Sequence, residues 1–325
     1  MKKVCLILAL ASLSVLPVVR ASTIIENFTT DPSLDGWQVF GDTNLFQWDS
    51  TNQILDVTWD STQPNSYFYL PLGQTLTVTN SFCVQFDLQL SNAAAYGYGQ
   101  ELAIGLLHWS DATNINFSRT IDYPPNISPN VFEFDYFPAF NDGGYSSPDT
   151  VTATIVDSAA NYNYCADAQS FVPGVTYHVV LLHYANSINI SGVIYTNGQI
   201  MSTFPEVQNY YPVNDDGSFV LDTISVTSYA DDGYGDDIFA QGTVANLVFA
   251  SPLPVGVINT TTAGQVQFAS DPSWIYTLEQ TTDFQNWSPA APAAFGNGTN
   301  LVLQATNPPA GKAFYQVIAD LPTPD

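Results

Sequence analysis

The residues best placed to do chemistry lie in the run Val131-Phe132-Glu133-Phe134-Asp135-Tyr136-Phe137. Glu133 and Asp135 stand two positions apart. Side chains on an extended strand alternate between its faces, so both carboxylates project one way while Phe132, Phe134 and Tyr136 cover the other. Two like charges side by side destabilise a strand unless something compensates them. The run therefore points to a metal ion or the hydroxyls of a sugar against that face, with a solvated carboxylate pair as the plainer alternative. A second acidic segment, Asp231-Asp232-Gly233-Tyr234-Gly235-Asp236-Asp237, has glycines that let it curl so that its carboxylates converge on Ca2+. It lacks the spacing of a helix-loop-helix calcium site, and a solvated acidic loop explains it equally well.

Aromatic side chains in polar surroundings offer a different chemistry. Tyr96, Tyr98, Trp109, Tyr136, Tyr145 and Tyr234 lie among Asn, Asp, Gln and Gly residues. A sugar ring has apolar C–H faces and a rim of hydroxyls, so rings stack on the faces while amides and carboxylates bond the rim. These six are the candidate carbohydrate contacts; packing at sheet edges is the competing explanation for each. His108, His178 and His183 fall in strand-like stretches with no G-x-S-x-G or H-E-x-x-H around them. They are expected to be packed or edge histidines rather than catalytic bases.

The elements that must position these groups are strands. Ser81–Leu90 shows the clearest period of two: Phe82, Val84, Phe86, Leu88 and Leu90 point one way, Cys83, Gln85, Asp87 and Gln89 the other. Tyr177–Tyr184 is apolar on both faces, as a central strand of a sandwich should be. Further strands are expected at Ile54–Trp59, Ser66–Leu70, Leu102–Trp109, Val131–Phe137, Val151–Val156, Phe219–Tyr229 and Val244–Phe249. Turn signals such as Thr196-Asn197-Gly198 separate them. No stretch outside the first twenty residues has a clean helical period. Those residues instead form a leader: Lys2 and Lys3, the apolar run Val4–Leu16, Pro17, and a small-residue cleavage site ending at Ala21. This layout predicts export, and the run is shorter than the roughly 20 residues that span a bilayer. The expected organisation is a leader at 1–21, a two-sheet sandwich at 22–250 and a proline-rich linker at 251–254. A small β module at 255–320 and a tail at 321–325 follow. Cys83 and Cys165 remain after the leader, and export permits a disulfide between them as readily as two buried thiols.

Two resemblances sharpen this. The Glu133-Phe134-Asp135 run resembles the metal-binding strand of legume-lectin-type domains in the concanavalin A-like fold. The resemblance implies an all-β jelly-roll sandwich and a calcium site drawn from Glu133, Asp135, Asn141 and Asp142. Ala139 stands where that family has Asn, and no His appears before Val151, so the family's transition-metal site does not carry over. Laminarinase-type hydrolases share the fold and use Glu-x-Asp-x-x-Glu or Glu-x-Asp-x-Glu. Here Phe137 or Pro138 replaces the second Glu, so the retaining pair of carboxyls is missing. The stretches Tyr276–Trp287 and Asn307–Val317 resemble a small module that ends many secreted proteins of verrucomicrobial-type bacteria.

Charge narrows the partners. The chain has 30 acidic residues against five basic ones, a net charge of -25; loss of the leader leaves two bases, Arg119 and Lys312, and a net charge of -28. No basic cluster exists to neutralise phosphates, and neither G-x-G-x-x-G nor G-x-x-x-x-G-K-[ST] occurs, so nucleic acid and nucleotides are excluded. Polyanionic glycans are disfavoured for the same reason. The expectation is a secreted, lectin-like protein for a neutral polysaccharide, with Ca2+ as the candidate cofactor. A glycoside hydrolase or polysaccharide lyase with a non-standard site, and a structural surface module, are the alternatives.

Overall fold

A computed structural model describes residues 22–95, 102–119, 128–142, 145–187, 190–204, 208–209, 218–230, 238–251, 259–262, 264–270, 274–284, 286–309 and 312–320. The leader, the linker beyond Ser251, the tail, Tyr96, Tyr98 and the acidic loop with Tyr234 lie outside these residues. Strands dominate. The only helical pieces are the single turns Pro32–Asp35, Thr43–Leu45 and Trp109–Ala112 among the described residues, so no helix there is long and apolar enough to cross a membrane.

Two antiparallel sheets of eight strands form the body, as the alternating pattern predicts. The first runs Gln199–Phe204, Ile190–Thr196, Thr176–His183, Phe82–Ala95, Ile238–Ser251, Ile54–Asp60 and Phe46–Asp49, with Ser22–Glu26 also on Ile238–Ser251. The second runs Gln208–Asn209, Tyr162–Asp167, Thr150–Val156, Val131–Phe137, Leu102–Leu107, Leu221–Ser228, Ser66–Leu76 and Gln38–Phe40. Strand Ile238–Ser251 changes partner along its length, from Ile54–Asp60 to Ser22–Glu26. Its register slips at the change, where Asn246 takes a φ of 49°; an extra residue of this kind bends a strand and redirects its pairing. At Asn197-Gly198 both residues have positive φ, the signature of the tight hairpin turn that matches strand twist.

Phe82, Val84, Phe86, Leu88 and Leu90 pack between the sheets against Ile104, Leu106, Phe132, Phe134, Ile224 and Val226 from the facing one. Period two thus converts directly into one buried face per strand. Thr176–His183 differs because both its faces are covered. Tyr177, Val179 and Leu181 enter the interior, while Val180 and Leu182 turn outward with Cys83, Val193, Tyr195 and Ala250. Against that outer face pack Val266, Phe268, Trp274, Tyr276, Leu278, Leu303 and Val317. They come from two small sheets: Asn259–Thr262, Gln265–Ala269 and Asn300–Gln304 form one, and Ser288–Pro289, Ile275–Thr281, Ala294–Phe295 and Phe314–Asp320 the other.

The same geometry decides the cysteine question. Cys83 lies on the outer face of the first sheet, directed away from the second, where Cys165 sits in Tyr162–Asp167. Packed sheets stand about 10 Å apart, beyond the roughly 7 Å that a disulfide can span between Cα atoms. That spacing puts a bridge between the two positions out of reach. A chain ending at Ser251 exposes Val180, Leu182, Val193 and Tyr195 together; it is expected to self-associate, eluting ahead of the full chain in size-exclusion chromatography. A monomeric, equally soluble truncation contradicts the packing role given to the C-terminal sheets.

Candidate functional site

The outer face of the second sheet carries the Glu133 and Asp135 carboxylates. Backbone register sets their neighbours. Glu133 lies between Thr154 and Gly105, and Asp135 between Thr152 and Ala103. The rows continue through Ser225, Tyr69 and Gln38 beside Gly105, and through Thr227, Tyr67 and Phe40 beside Ala103. Gly105 is needed where it is, because a Cβ there would stand 2.2 Å from the Phe132 carbonyl oxygen and 2.5 Å from the Glu133 Cα.

What compensates the two like charges is Arg119. Its Nε donates to Glu133 Oε1 at 2.7 Å, and its terminal nitrogen closes a second, shorter bond to the same oxygen. Tyr229 donates its hydroxyl to Glu133 Oε2 at 2.8 Å, and the Arg119 guanidinium lies 5.8 Å from the centre of the Tyr229 ring. Asp135 Oδ2 accepts from Thr152 and Thr154 at 2.8 and 2.6 Å; its Oδ1 accepts no hydrogen bond among the described residues and lies 3.9 Å from Arg119. Glu133 and Asp135 are 3% and 1% exposed. Burial pushes the Glu133 carboxyl up to about 8, against the opposite pull of the guanidinium. Burial, and then the Glu133 charge, push the Tyr67 and Tyr229 hydroxyls upward, so both stay protonated donors.

At Glu133 and Asp135 this arrangement differs from the open carboxylate pair that the calcium expectation assumed. Both Glu133 oxygens and one Asp135 oxygen are occupied by donors, and the place of a cation is taken by a guanidinium that repels a second one. No group of three or more metal-ligating side chains occurs among the described residues. Asn141 and Asp142 lie on a hairpin in which Asp142 pairs with Tyr145 and Asn141 with Ser146. The side chains of Asn141, Asp142 and Tyr145 lie outside the described residues.

A second cluster sits on the same face. The turn Trp109–Ala112 is fastened by Tyr67, whose hydroxyl donates to the Ala112 carbonyl at 2.9 Å, and by Asp222, whose carboxylate accepts from the Trp109 amide at 2.8 Å. The Trp109 ring stacks on Tyr69 with centroids 3.8 Å apart and planes 20° apart, and meets the Phe40 ring edge-on at 5.6 Å. Tyr69 donates its hydroxyl to the exposed Gln38 amide at 3.0 Å. His108 lies between carboxylates, with Nδ1 2.8 Å from Asp111 and Nε2 3.8 Å from Asp222.

Of the aromatics singled out by sequence, Trp109 is in this cluster. Tyr136 is not a surface residue: it is 2% exposed, stacks on Phe171 inside the sandwich and donates its hydroxyl to Asp149. It occupies the inward parity of its strand, which its neighbours Phe132 and Phe134 already marked. His183 is fully buried with its two ring nitrogens facing the carbonyls of Asn80 and Ser187, and His178 is paired with Asp87. Sequence reasoning did not place Arg119, Tyr229, Tyr69, Phe40, Gln38 or Asp222 at the site. Arg119 alone had a signal: a buried carboxylate pair demands a cation, and beyond Arg20 the sequence has two, Arg119 and Lys312.

The chain matches no protein-family model and none of the curated proteins. Among solved structures it is similar to the Lotus tetragonolobus seed lectin, at 14% identity and a TM-score of 0.42 over 72% of this chain and 99% of that one. Lectin II from Ulex europaeus gives 13% and 0.46 over 72% and 99%. The Emp47p carbohydrate recognition domain gives 10% and 0.36 over 69% and 95%. Likenesses this distant assign no residue and no ligand.

Two measurements test the electrostatics. At pH 9, where Glu133 is ionised, Arg119→Met leaves a carboxylate buried without its partner and is expected to cost about 3 kcal/mol or more, read by urea unfolding, whereas Arg119→Met with Glu133→Leu recovers most of that loss. Glu133 titrates near 4.5 unfolded and near 8 folded, so its contribution to stability is complete below the lower value and is lost as pH rises through the upper one. The urea midpoint of Glu133→Gln should accordingly gain on that of the unaltered chain between pH 5 and pH 8.5; parallel midpoints overturn the assignment.

Proposed function

We propose that the chain is a secreted carbohydrate-binding protein that holds a neutral saccharide against the outer face of its second sheet, at Trp109, Tyr69 and Phe40. The carrying observation is the partly buried Trp109–Tyr69 stack, with the exposed Phe40 ring edge-on to Trp109. The apolar face of a pyranose gains contact on such rings without any conformational search, because the turn is already fixed by Tyr67 and Asp222. Gln38, Asp111 and Asp222 supply acceptors at the rim for hydroxyl donors. Those carboxylates, in a chain of net charge -25, argue against a uronate or sulfated glycan. The leader layout from Lys2 to Ala21 supports export.

Hydrolysis is the weaker reading. The two carboxyls of the Glu-x-Asp motif, Glu133 and Asp135, are buried, and Arg119 spans them. A glycosidase needs its acid and its second carboxylate facing the sugar from one cleft.

Affinity electrophoresis through gels containing soluble galactomannan, xyloglucan or mixed-linkage β-glucan tests the proposal. The full chain should be retarded by at least one polymer, and Trp109→Ala should weaken that binding about tenfold, the equivalent of roughly 1.4 kcal/mol. Free migration in every neutral gel, or retardation untouched by the Trp109 substitution, removes this site.

A further inference from the structure

The C-terminal sheets bury one face against the sandwich and leave the other outward. On that outward face Phe284 is 60% exposed and Phe314 38% exposed, and the two rings lie 3.8 Å apart between centroids. The half-buried Trp287 meets Phe284 edge-on at 6.5 Å. Register places Thr281 opposite Phe314 and, one row along the same face, Glu279 opposite Gln316; the Gln316 amide donates to Glu279 at 2.8 Å.

Phe284 is held in a left-handed backbone conformation, φ 61°. That region suits Gly or Asn and is an outlier for a bulky side chain. The surrounding turn enforces it. Phe284 donates its amide to Thr281 Oγ1, and Asp283 accepts from the Thr281 hydroxyl and from both the backbone and the side-chain nitrogen of Asn286. The fold therefore spends backbone strain to hold an aromatic ring out in solvent, where burial returns little of it. Strain concentrated at an exposed ring is what a ligand clamp shows.

We infer that Phe284, Trp287 and Phe314 form a binding platform for a pyranose ring, separate from the site at Trp109 and independent of it. Three rings give the area of one or two sugar residues, far from the roughly 20–30 residues a side of a stable protein interface. Glu279, Gln316 and Asn286 lie at the edge of the rings, where hydroxyls would fall. The segment is also poor in charge: residues 255–325 hold five of the chain's 30 acids. An uncharged ligand with apolar faces and a hydroxyl rim matches that surface. Two sites on one chain would let a polymer be held at both ends, with avidity above either affinity.

The full-length protein should be run through gels containing galactomannan, xyloglucan or mixed-linkage β-glucan, beside Phe284→Gly, Phe314→Ala and Trp109→Ala. Glycine relieves the strained φ, so Phe284→Gly should keep or raise the melting temperature while losing at least tenfold in retardation; Phe314→Ala should weaken retardation likewise. Trp109→Ala should leave the part of the retardation that this platform supplies. The inference is overturned if Phe284→Gly and Phe314→Ala migrate as the unaltered chain does in every gel, or if the unaltered chain is retarded in none. It is overturned equally if sedimentation shows a dimer that these substitutions dissociate with retardation unchanged, which would make the patch a protein contact.

Discussion

The bond between Arg119 and Glu133 is the interaction on which the second sheet's outer face depends. A carboxylate on the face of a central strand is expensive to take from water, and a second one two residues away raises that cost. The chain meets it with a planar guanidinium closing on one Glu133 oxygen, a tyrosine hydroxyl on the other and two threonines on Asp135. Arg rather than Lys suits the position, since its fork supplies several fixed donors and it stays charged when buried. Drawing Arg119 inward also brings down the segment that precedes it: Phe117 stacks on Tyr229, and the turn at Trp109 closes over Tyr67 and Tyr69. The ring platform thus shares Tyr67 with the cover of the buried charge, since that ring meets both Trp109 and Tyr229 edge-on.

A comparable constraint acts on the first sheet. One of its strands is apolar on both faces, and a sandwich alone can cover only one. The C-terminal sheets supply the missing cover, which explains how outward-facing Val180, Leu182 and Val193 stay out of water. The small sheets in turn gain a hydrophobic base that a unit of their size would struggle to build for itself. Their remaining face is then free to present Phe284 and Phe314. Acidity is distributed to match: residues 255–325 hold five of the 30 acids, and the other 25 precede them.

The sequence by itself determined the all-β class, most of the strands and the inward set of each long one, because period-two alternation is a local property that needs no partner to be read. It also determined that Glu133 and Asp135 share a face. It left out the short strands Gln38–Phe40, Phe46–Asp49 and Gln208–Asn209, which are too brief for a period to show. It put Tyr136 among surface aromatics although the parity of its own strand marked it as interior.

Only the tertiary structure decided what compensates the carboxylates. Arg119, Tyr229 and the Thr152–Thr154 strand reach them from three separate segments, and nothing local links those segments. An unfilled cation site and an internal ion pair ask for the same acidic pattern on the strand; they differ only in whether a distant positive charge folds back onto it. The stacking of Trp109 on Tyr69 and the separation of Cys83 from Cys165 have the same origin. Each depends on which strands become neighbours, a choice made by burial of whole faces rather than by any residue's own neighbours in the chain.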